Sequence, residues 1–472
     1  MAELIFYGAV EGVTGSMYLL KTENSSVLLD SGLFQGRRDE EKKNHQTLPF
    51  DLTFIDAVII SHAHLDHSGR IPLLINEGYD GPIFMTRPTL DLVDILLKDA
   101  GSLQERDAEW ENKKRRRAGK KEIDPIYTQD DAERAMNFCV GVPYCHRFNV
   151  TDDIELNYRD AGHILGSAIV EIWVDDGHKK KKLVFSGDLG NSQAALLNDP
   201  AVVSEADILL IESTYGDREH KSMEETLDEF KDVILQASRD GGNILIPSFA
   251  VGRTQEIIFR LGELYQEGLL THQVAYLDSP MAIAVTEVYH KYQNTYNDED
   301  QKQIQDAKGN GRSNLRSLHS FLPILRYSQS TKESMAINNI VNGAIIIAGS
   351  GMCNGGRIRH HFKHNLWRRQ SHVVFVGYQA EGTPGRALVD GAKTFKLAGE
   401  TIAVNAQIHT LGGFSAHASQ SQLLSWLSNF SDPKPHLYIV HGETLAKEAL
   451  KNEAKKVGWH ANIPQLNDVI YF

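Results

Sequence analysis

The stretch SHAHLDHSG at residues 61–69 puts three histidines and one aspartate, His62, His64, Asp66 and His67, within six positions. It grows out of IDAVIIS (55–61), a short Val- and Ile-rich run of the kind that forms a buried strand. Alternate residues at a strand end point to the same side, so His62 and His64 share one side and the following turn brings Asp66 and His67 round. Packing does not explain four ligand-type side chains on one turn, whereas imidazole and carboxylate suit zinc. Catalytic zinc commonly keeps three protein ligands and an open position, so the turn points beyond a single closed site.

Similar apolar runs recur along the chain and end in Gly or polar residues: KLVFSGDLG (182–190), DILLIESTYG (207–216), GNILIPSFAVG (242–252), AIIIAGSG (344–351), HVVFVGYQ (372–379) and HLYIVHGE (436–443). Buried strands with polar loops at their carboxyl ends are where α/β folds place sites. Between them, SMEETLDEFKDVILQASRD (222–240) and QSQLLSWLSNF (420–430) have the apolar spacing of helices. The fold class is α/β, with antiparallel strands expected at the start, where IFYGAVEG, SMYLLKTE and SVLLDSG are joined by turns. Segment 99–135 reads as an exposed charged helical excursion, and 296–314 as a polar stretch with a turn at Gly309–Gly311. GAVEGVTGS (8–16) lacks the lysine of a nucleotide-binding loop and reads as a hairpin.

Further ligands are expected from other strand ends. His163 lies in RDAGHILGS, Asp188 ends FSGD and His441 ends YIVHG. Each alone would be an ordinary turn or capping residue; with residues 62–67 they complete two metal shells and leave one carboxylate to bridge. Two zinc ions about 3.5–4 Å apart form the clamp used for in-line displacement at phosphorus. Asp30, closing SVLLDSG, is the carboxylate expected behind the ligands, holding a histidine in one tautomer.

The 472 residues allow two or three domains, and 41% hydrophobic with 24% charged residues is ordinary globular composition. A net charge of −13 argues against a protein that coats nucleic acid through a broad basic surface, without excluding a nuclease. Two basic runs interrupt it, KKRRRAGKK (113–121) and HKKKK (178–182), read as a solvated helix end and a solvated hairpin turn that could contact phosphate. No run reaches the length of a membrane span, the start MAELIFYGAVEG has no secretory-signal features, and three cysteines in no CxxC spacing suggest neither disulfides nor a thiolate zinc site. A cytoplasmic protein without a membrane partner is expected.

On these residues the chain resembles the metallo-β-lactamase superfamily and, within it, the β-CASP group of nucleic-acid-processing nucleases, specifically the RNA-acting members related to the cleavage and polyadenylation specificity factor endonuclease. SVLLDSG, HAHLDH, AGHILGS and FSGD are similar to the superfamily motifs; IESTYG, GGFSAHAS and IVHGE are similar to β-CASP motifs A, B and C at Glu212, His417 and His441. The resemblance implies an αβ/βα sandwich built from residues 1–212 and 414–472, with an inserted α/β β-CASP domain at 213–413 that caps the metal cleft. It implies two Zn2+ per chain, with His62, His64 and His163 on one, Asp66, His67 and His441 on the other, and Asp188 bridging. Histidine at motif C, where DNA-repair members carry valine, favours RNA. Relative to that group the chain is expected to lack an amino-terminal RNA-binding extension and a carboxyl-terminal domain.

The expected activity is zinc-dependent hydrolysis of single-stranded RNA, as an endonuclease, a 5′ exonuclease or both, through a metal-bridging hydroxide that leaves 5′-phosphate and 3′-hydroxyl ends. Asp66, Glu212 and His417 are the catalytic candidates. His417, held by Glu212, is the expected acid for the departing ribose oxygen. Candidates for holding substrate are Arg253, Ser350, Gly351, Arg357, Arg386, Ser415 and Ser419. Cys353 would be a nucleophile only without metal, and His360, His361 and His364, lacking nearby carboxylates in sequence, read as a helix face. The partners are single-stranded RNA and, as an option, a second copy of the chain. The competing readings are a lactone or thioester hydrolase, for which the large insertion is unnecessary, and a noncatalytic RNA-binding scaffold, which would have lost ligands.

Overall fold

Strand Ala57–Ile59, which leads into the histidine-rich turn, is an inner member of a seven-stranded sheet. In the computed structural model, which describes residues 2–36, 38–175, 177, 179–307 and 318–472, this sheet begins antiparallel. Tyr18–Lys21 pairs antiparallel with both Glu3–Phe6 and Ser26–Leu29. The segment at 8–16 joins the first two of these strands, as the hairpin reading required. From Ser26–Leu29 onward the pairing turns parallel, through Ala57–Ile59, Ile83–Thr86 and Cys139–Val142. Parallel strands need a crossover connection, and helix Arg87–Arg117 supplies the longest one here.

A second seven-stranded sheet packs on the first. Its antiparallel half runs Phe148–Asn149, Ile154–Asp160, Ala168–Asp175 and Lys180–Phe185; its parallel half adds Ile208–Ile211, His436–Ile439 and Ala461–Asn462. The period-two rule decides what lies between the sheets. Leu4 and Phe6, Tyr18 and Leu20, Val27 and Leu29, and Ala57 and Ile59 face Leu156, Tyr158, Val170, Ile172, Leu183, Phe185 and Leu210 in one core. The alternate residues Ile169, Val184, Leu209, Ile211, Leu437 and Ile439 point the other way, where they pack with Leu423, Trp426 and Leu427 of helix Gln420–Leu427 and Leu450 of helix Thr444–Lys456. Lys180–Lys182 open a strand rather than forming a turn: Lys180 bonds Glu155, and Lys182 bonds Glu171 at 2.6 Å. The 113–121 run begins on the last turn of helix Arg87–Arg117 and is largely exposed.

The chain forms two compact units: Met1–Ser192, Asp199–Glu219 and His417–Phe472 make up the first, and Gln193–Asn198 with His220–Ala416 the second. The second unit is built on a parallel six-stranded sheet in the order Leu325–Tyr327, Val274–Leu277, Ala344–Ala348, Ile244–Pro247, His372–Phe375, Gln407–Thr410. Its inner strands Ala344–Ala348, Ile244–Pro247 and His372–Phe375 are fully buried and rich in Ile, Leu and Val, as parallel strands covered on both faces require. The turn expected at 309–311 lies outside the described residues.

Candidate metal centre

The first unit brings its strand-end residues together. After Ile59 the chain turns at Ser61, and residues Leu65–Ser68 form one helical turn that carries Asp66 and His67. Gly32 lets the neighbouring loop lie against it: a Cβ at residue 32 would stand 1.6 Å from the Asp66 carbonyl oxygen. Asp30 is fully buried. Its carboxylate accepts hydrogen bonds from Ser61 N (2.8 Å), Ser61 Oγ (2.9 Å), Ser16 Oγ (3.2 Å) and His67 Nδ1 (2.6 Å). That last bond leaves His67 Nε2 as the nitrogen facing the cluster.

His163 enters from the loop between Ile154–Asp160 and Ala168–Asp175, a loop held by Ser167 Oγ accepting from the backbone of His163 at 3.0 Å and Ile164 at 3.2 Å. Asp188 follows strand Lys180–Phe185, Glu212 follows Ile208–Ile211, and His441 follows His436–Ile439. His441 N donates to the Ala9 carbonyl at 2.7 Å, and Thr214 Oγ1 lies 3.2 Å from His441 Nδ1.

Two groups of donor atoms result. In the first, His64 Nδ1 stands 3.2 Å from His62 Nε2 and 3.1 Å from His163 Nε2, and Asp188 Oδ2 lies 3.4 and 3.6 Å from those two ε nitrogens. In the second, His67 Nε2 is 3.0 Å from His441 Nε2, Asp66 Oδ2 is 3.6 Å from His441 Nε2, and Asp188 Oδ1 is 3.4 Å from His67 Nε2. Tetrahedral zinc with bonds of about 2.0–2.1 Å separates its donors by roughly 3.3–3.4 Å, which is the spacing seen here. Asp188 Oδ1 is buried and accepts no hydrogen bond among the described residues, and the two carboxylate oxygens face different groups. The donor set fits zinc.

Burial and the neighbouring charges oppose each other in the cluster. Burial works against a charged Asp188, but the histidines around it, His441 and His67 foremost, outweigh burial and hold the carboxyl well below its ordinary range. Asp66 is likewise opposed by burial yet held at about 2 by His441 and His67. Burial and the neighbouring His67 push His62 well down. For His417 burial also disfavours charge, and Glu212 and Asp188 prevail, lifting it to about 9.

His417 and Glu212 form a pair beside the cluster. His417 Nδ1 donates to Glu212 Oε1 at 3.1 Å, and an isolated bridge to Gly190 fixes its backbone. Glu212 is fully buried and accepts from Leu189 N at 2.8 Å and Thr214 N at 3.0 Å, so both its oxygens are fixed. Thr214, Ser61 and Ser16 were not singled out from the sequence; a hydroxyl residue beside HxHxDH or ESTYG was the available signal.

The substrate candidates fall otherwise. Ser419 is buried in the first unit at the start of helix Gln420–Leu427, with its N donating to Gln422 Oε1 at 2.9 Å. Arg253, Ser350, Gly351, Arg357, Arg386 and Ser415 belong to the second unit. Arg253 is buried against Glu256, Arg357 donates to Asp278 at 2.7 Å, and Arg386 donates to both oxygens of Asp390 at 2.8 and 2.9 Å. Each arginine therefore has a carboxylate partner within the unit. Ser350 Oγ accepts from Gly355 N at 3.2 Å. His361 does have a carboxylate near it in space, donating from Nε2 to Asp278 at 2.6 Å. Cys353 is fully buried, and burial raises its thiol to about 12, which removes it as a nucleophile.

Three family profiles match the chain: Metallo-beta-lactamase superfamily over residues 10–86, Beta-Casp domain over 254–388, and Zn-dependent metallo-hydrolase RNA specificity domain over 401–464. The protein named Ribonuclease TTHA0252, from Thermus thermophilus, is 38% identical over 93% of this chain and 93% of its own length. Transcription termination factor FttA of Methanocaldococcus jannaschii is 32% identical over 93% of this chain and 66% of its own, and that of Thermococcus kodakarensis is 32% identical over 98% and 70%. The crystal structure of a protein of unknown function from Enterococcus faecalis V583 covers 99% of both chains at TM-score 0.56 and 12% identity, a likeness of fold alone. With its donor cluster at the strand ends of a two-sheet sandwich and a relative this similar along nearly its whole length, the chain belongs to the β-CASP family of the metallo-β-lactamase superfamily.

Proposed function

We propose that the chain is a zinc-dependent ribonuclease that hydrolyses phosphodiester bonds of single-stranded RNA, leaving 5′-phosphate and 3′-hydroxyl ends. The observation that carries the reading is Asp188 between two histidine groups, with the His417–Glu212 pair alongside. A scaffold would have shed ligands; all seven candidates stand in the two groups. We assign His62, His64, His163 and Asp188 to one zinc and Asp66, His67, His441 and Asp188 to the other. Zinc, when bound, supplies a water acidified to a pKa of about 7 and a positive charge for the phosphate oxygens.

The remaining chemistry falls to side chains. Hydrolysis adds the oxygen of water to phosphorus and breaks the P–O3′ bond, so the departing ribose oxygen needs a proton. Against burial, which disfavours charge, the neighbouring Glu212 carboxylate favours the protonated imidazole of His417. Its Nδ1 bonds Glu212, and the Nε2 proton is the one assigned to O3′. Glu212 is the positioning residue: its second oxygen is bound to Thr214 N, so it holds the imidazole in one orientation. Asp30 does the same for His67.

The β-CASP insertion is assigned to residues 213–413, nearly all of which fall in the second unit. Among the described residues no helix is long and apolar enough to cross a membrane, and the three cysteines are unpaired. The test is a labelled, unstructured RNA bearing 5′-phosphate, 5′-triphosphate or 5′-hydroxyl, incubated with zinc-loaded protein and the products sized on a gel. Cleavage abolished by chelator and restored by zinc is expected, and the product ladder separates internal cutting from stepwise trimming. Intact RNA beside efficient opening of a small lactone or thioester would overturn the proposal.

A further inference from the structure

In the second unit two large aromatic side chains stand in solvent at the same end of the parallel sheet. Phe249 follows strand Ile244–Pro247 and Tyr378 follows strand His372–Phe375. The two strands pair in parallel with Ile244 opposite His372, so their loops leave the sheet together at its carboxyl edge, where open α/β sheets bind ligands. Phe249 is 45% exposed and Tyr378 54%. An apolar ring gains by leaving water, and the rings of Phe230, Phe259, Phe362, Phe375 and Phe414 do so.

Phe249 is exposed without being loose. Its ring lies on the backbone of Gly351, where a Cβ would meet ring carbons at 2.7 Å, and near Gly377, where a Cβ would come within 4.0 Å. Any side chain at 351 would lift the ring away. Thr254 Oγ1 donates to the Phe249 carbonyl at 2.6 Å. One buried amide ties the Tyr378 loop to the Gly351 backbone on which the Phe249 ring lies: Gln379 Nε2 donates to the carbonyls of Gly351 (3.0 Å), Gly377 (3.2 Å) and Tyr378 (3.2 Å). A ring already held in place loses little freedom on binding.

The surroundings select base faces over phosphates as the ligand. Arg386, eight residues after Tyr378, is half-exposed and paired with the exposed Asp390, and Glu381 adds another exposed acid. Those three side chains together carry no net positive charge to draw a phosphate, whereas every nucleobase has a face that stacks on an aromatic ring. We propose that Phe249 and Tyr378 form a stacking platform for unpaired bases of single-stranded RNA, with Gln379 as its positioning residue. This rests on the ribonuclease reading.

The experiment uses zinc-loaded full-length protein and an oligouridylate series in which one abasic ribose is moved along the chain. In the wild type, one or two abasic positions raise KM roughly tenfold, the value of one base–aromatic stack. Phe249→Leu, which keeps apolar bulk but has no π-face, removes that position dependence and raises KM for the intact oligonucleotide by a similar factor; Phe249→Trp restores both. Tyr378→Ala, at a more exposed position, provides a second variant should Phe249→Leu fail to fold. Wild-type-like KM and wild-type-like abasic dependence in the Leu and Ala variants would overturn the platform while leaving the ribonuclease reading intact. Wild-type protein that neither binds nor cuts any member of the series would overturn both.

Discussion

Asp30 has a φ of 57°, a conformation that Asp and Asn take more readily than other side-chain-bearing residues. From there its oxygens reach Ser61, Ser16 and His67 at once. Asp30→Asn keeps the backbone preference and the approximate shape while removing the charge that orients His67. The expected outcome is zinc affinity about 10–100-fold weaker, measured by chelator competition. His417 differs in kind, because its assigned role is a proton and not a metal bond. His417→Ala is expected to keep the wild-type zinc content by elemental analysis and to slow RNA cleavage by about 10²–10⁴-fold; loss of zinc instead would show His417 to be a ligand. These residues stand out in the sequence as candidates. HxHxDH carries its own periodicity, and Asp30, Asp188 and His441 all end apolar runs. Sequence marked the arginines less well: Arg357 stood out as a phosphate contact because it sits among glycines, and its partner Asp278 lies 79 residues away in the chain.

At the scale of elements, Asp278 joins three of them. It follows strand Val274–Leu277 and is fully buried. It accepts from Ser334 Oγ on helix Thr331–Ile337 at 2.6 Å, from His361 on helix Ile358–Asn365 at 2.6 Å, and from Arg357 at the start of that helix at 2.7 Å. Burial alone would raise its pKa; the bonds from His361 and Ser334 outweigh burial and hold it at about 2, below the 3.8 of a free aspartate. A carboxyl whose folded pKa is depressed contributes stability that is fully present above its unfolded pKa and is lost as pH falls through the folded one. Unfolding of the second unit in urea should therefore show stability falling between about pH 4 and pH 2 by on the order of 2 kcal/mol. Asp278→Asn should be less stable than wild type at neutral pH, and the gap should narrow over that interval. A gap independent of pH would mean that the buried contacts matter and the charge does not.

For the whole molecule, the chain leaves the first unit at Glu219 and re-enters it at His417. The two points are joined by hydrogen bonds: Gln420 N donates to the Arg218 carbonyl at 3.1 Å, and Ser421 N donates to Glu219 at 2.9 Å. A short flexible linker in place of residues 220–416 has little distance to span. All seven proposed zinc ligands, with Glu212 and His417, lie in the part that remains. The shortened protein is expected to retain two zinc ions per chain and to hydrolyse a small activated phosphodiester, while KM for RNA rises at least tenfold. Loss of zinc would show that the second unit is needed to form the site.

Local pattern alone determined the α/β class, the antiparallel opening, the strands and which side chains are candidate ligands. Period-two alternation and crowded imidazoles are properties of a few consecutive residues, and they survive in any fold that buries those strands. Tertiary structure decided which atoms meet. His163 reaches His64 across 99 residues, and His441 reaches His67 across 374. It also decided that Asp188 turns one oxygen to each histidine group, that Arg253 and Arg357 are held by internal carboxylates, and that Phe249 stays in solvent on a glycine. Such pairings are set by how each unit buries its own sheets and helices. That free energy belongs to the whole chain, so no single stretch of it carries the answer.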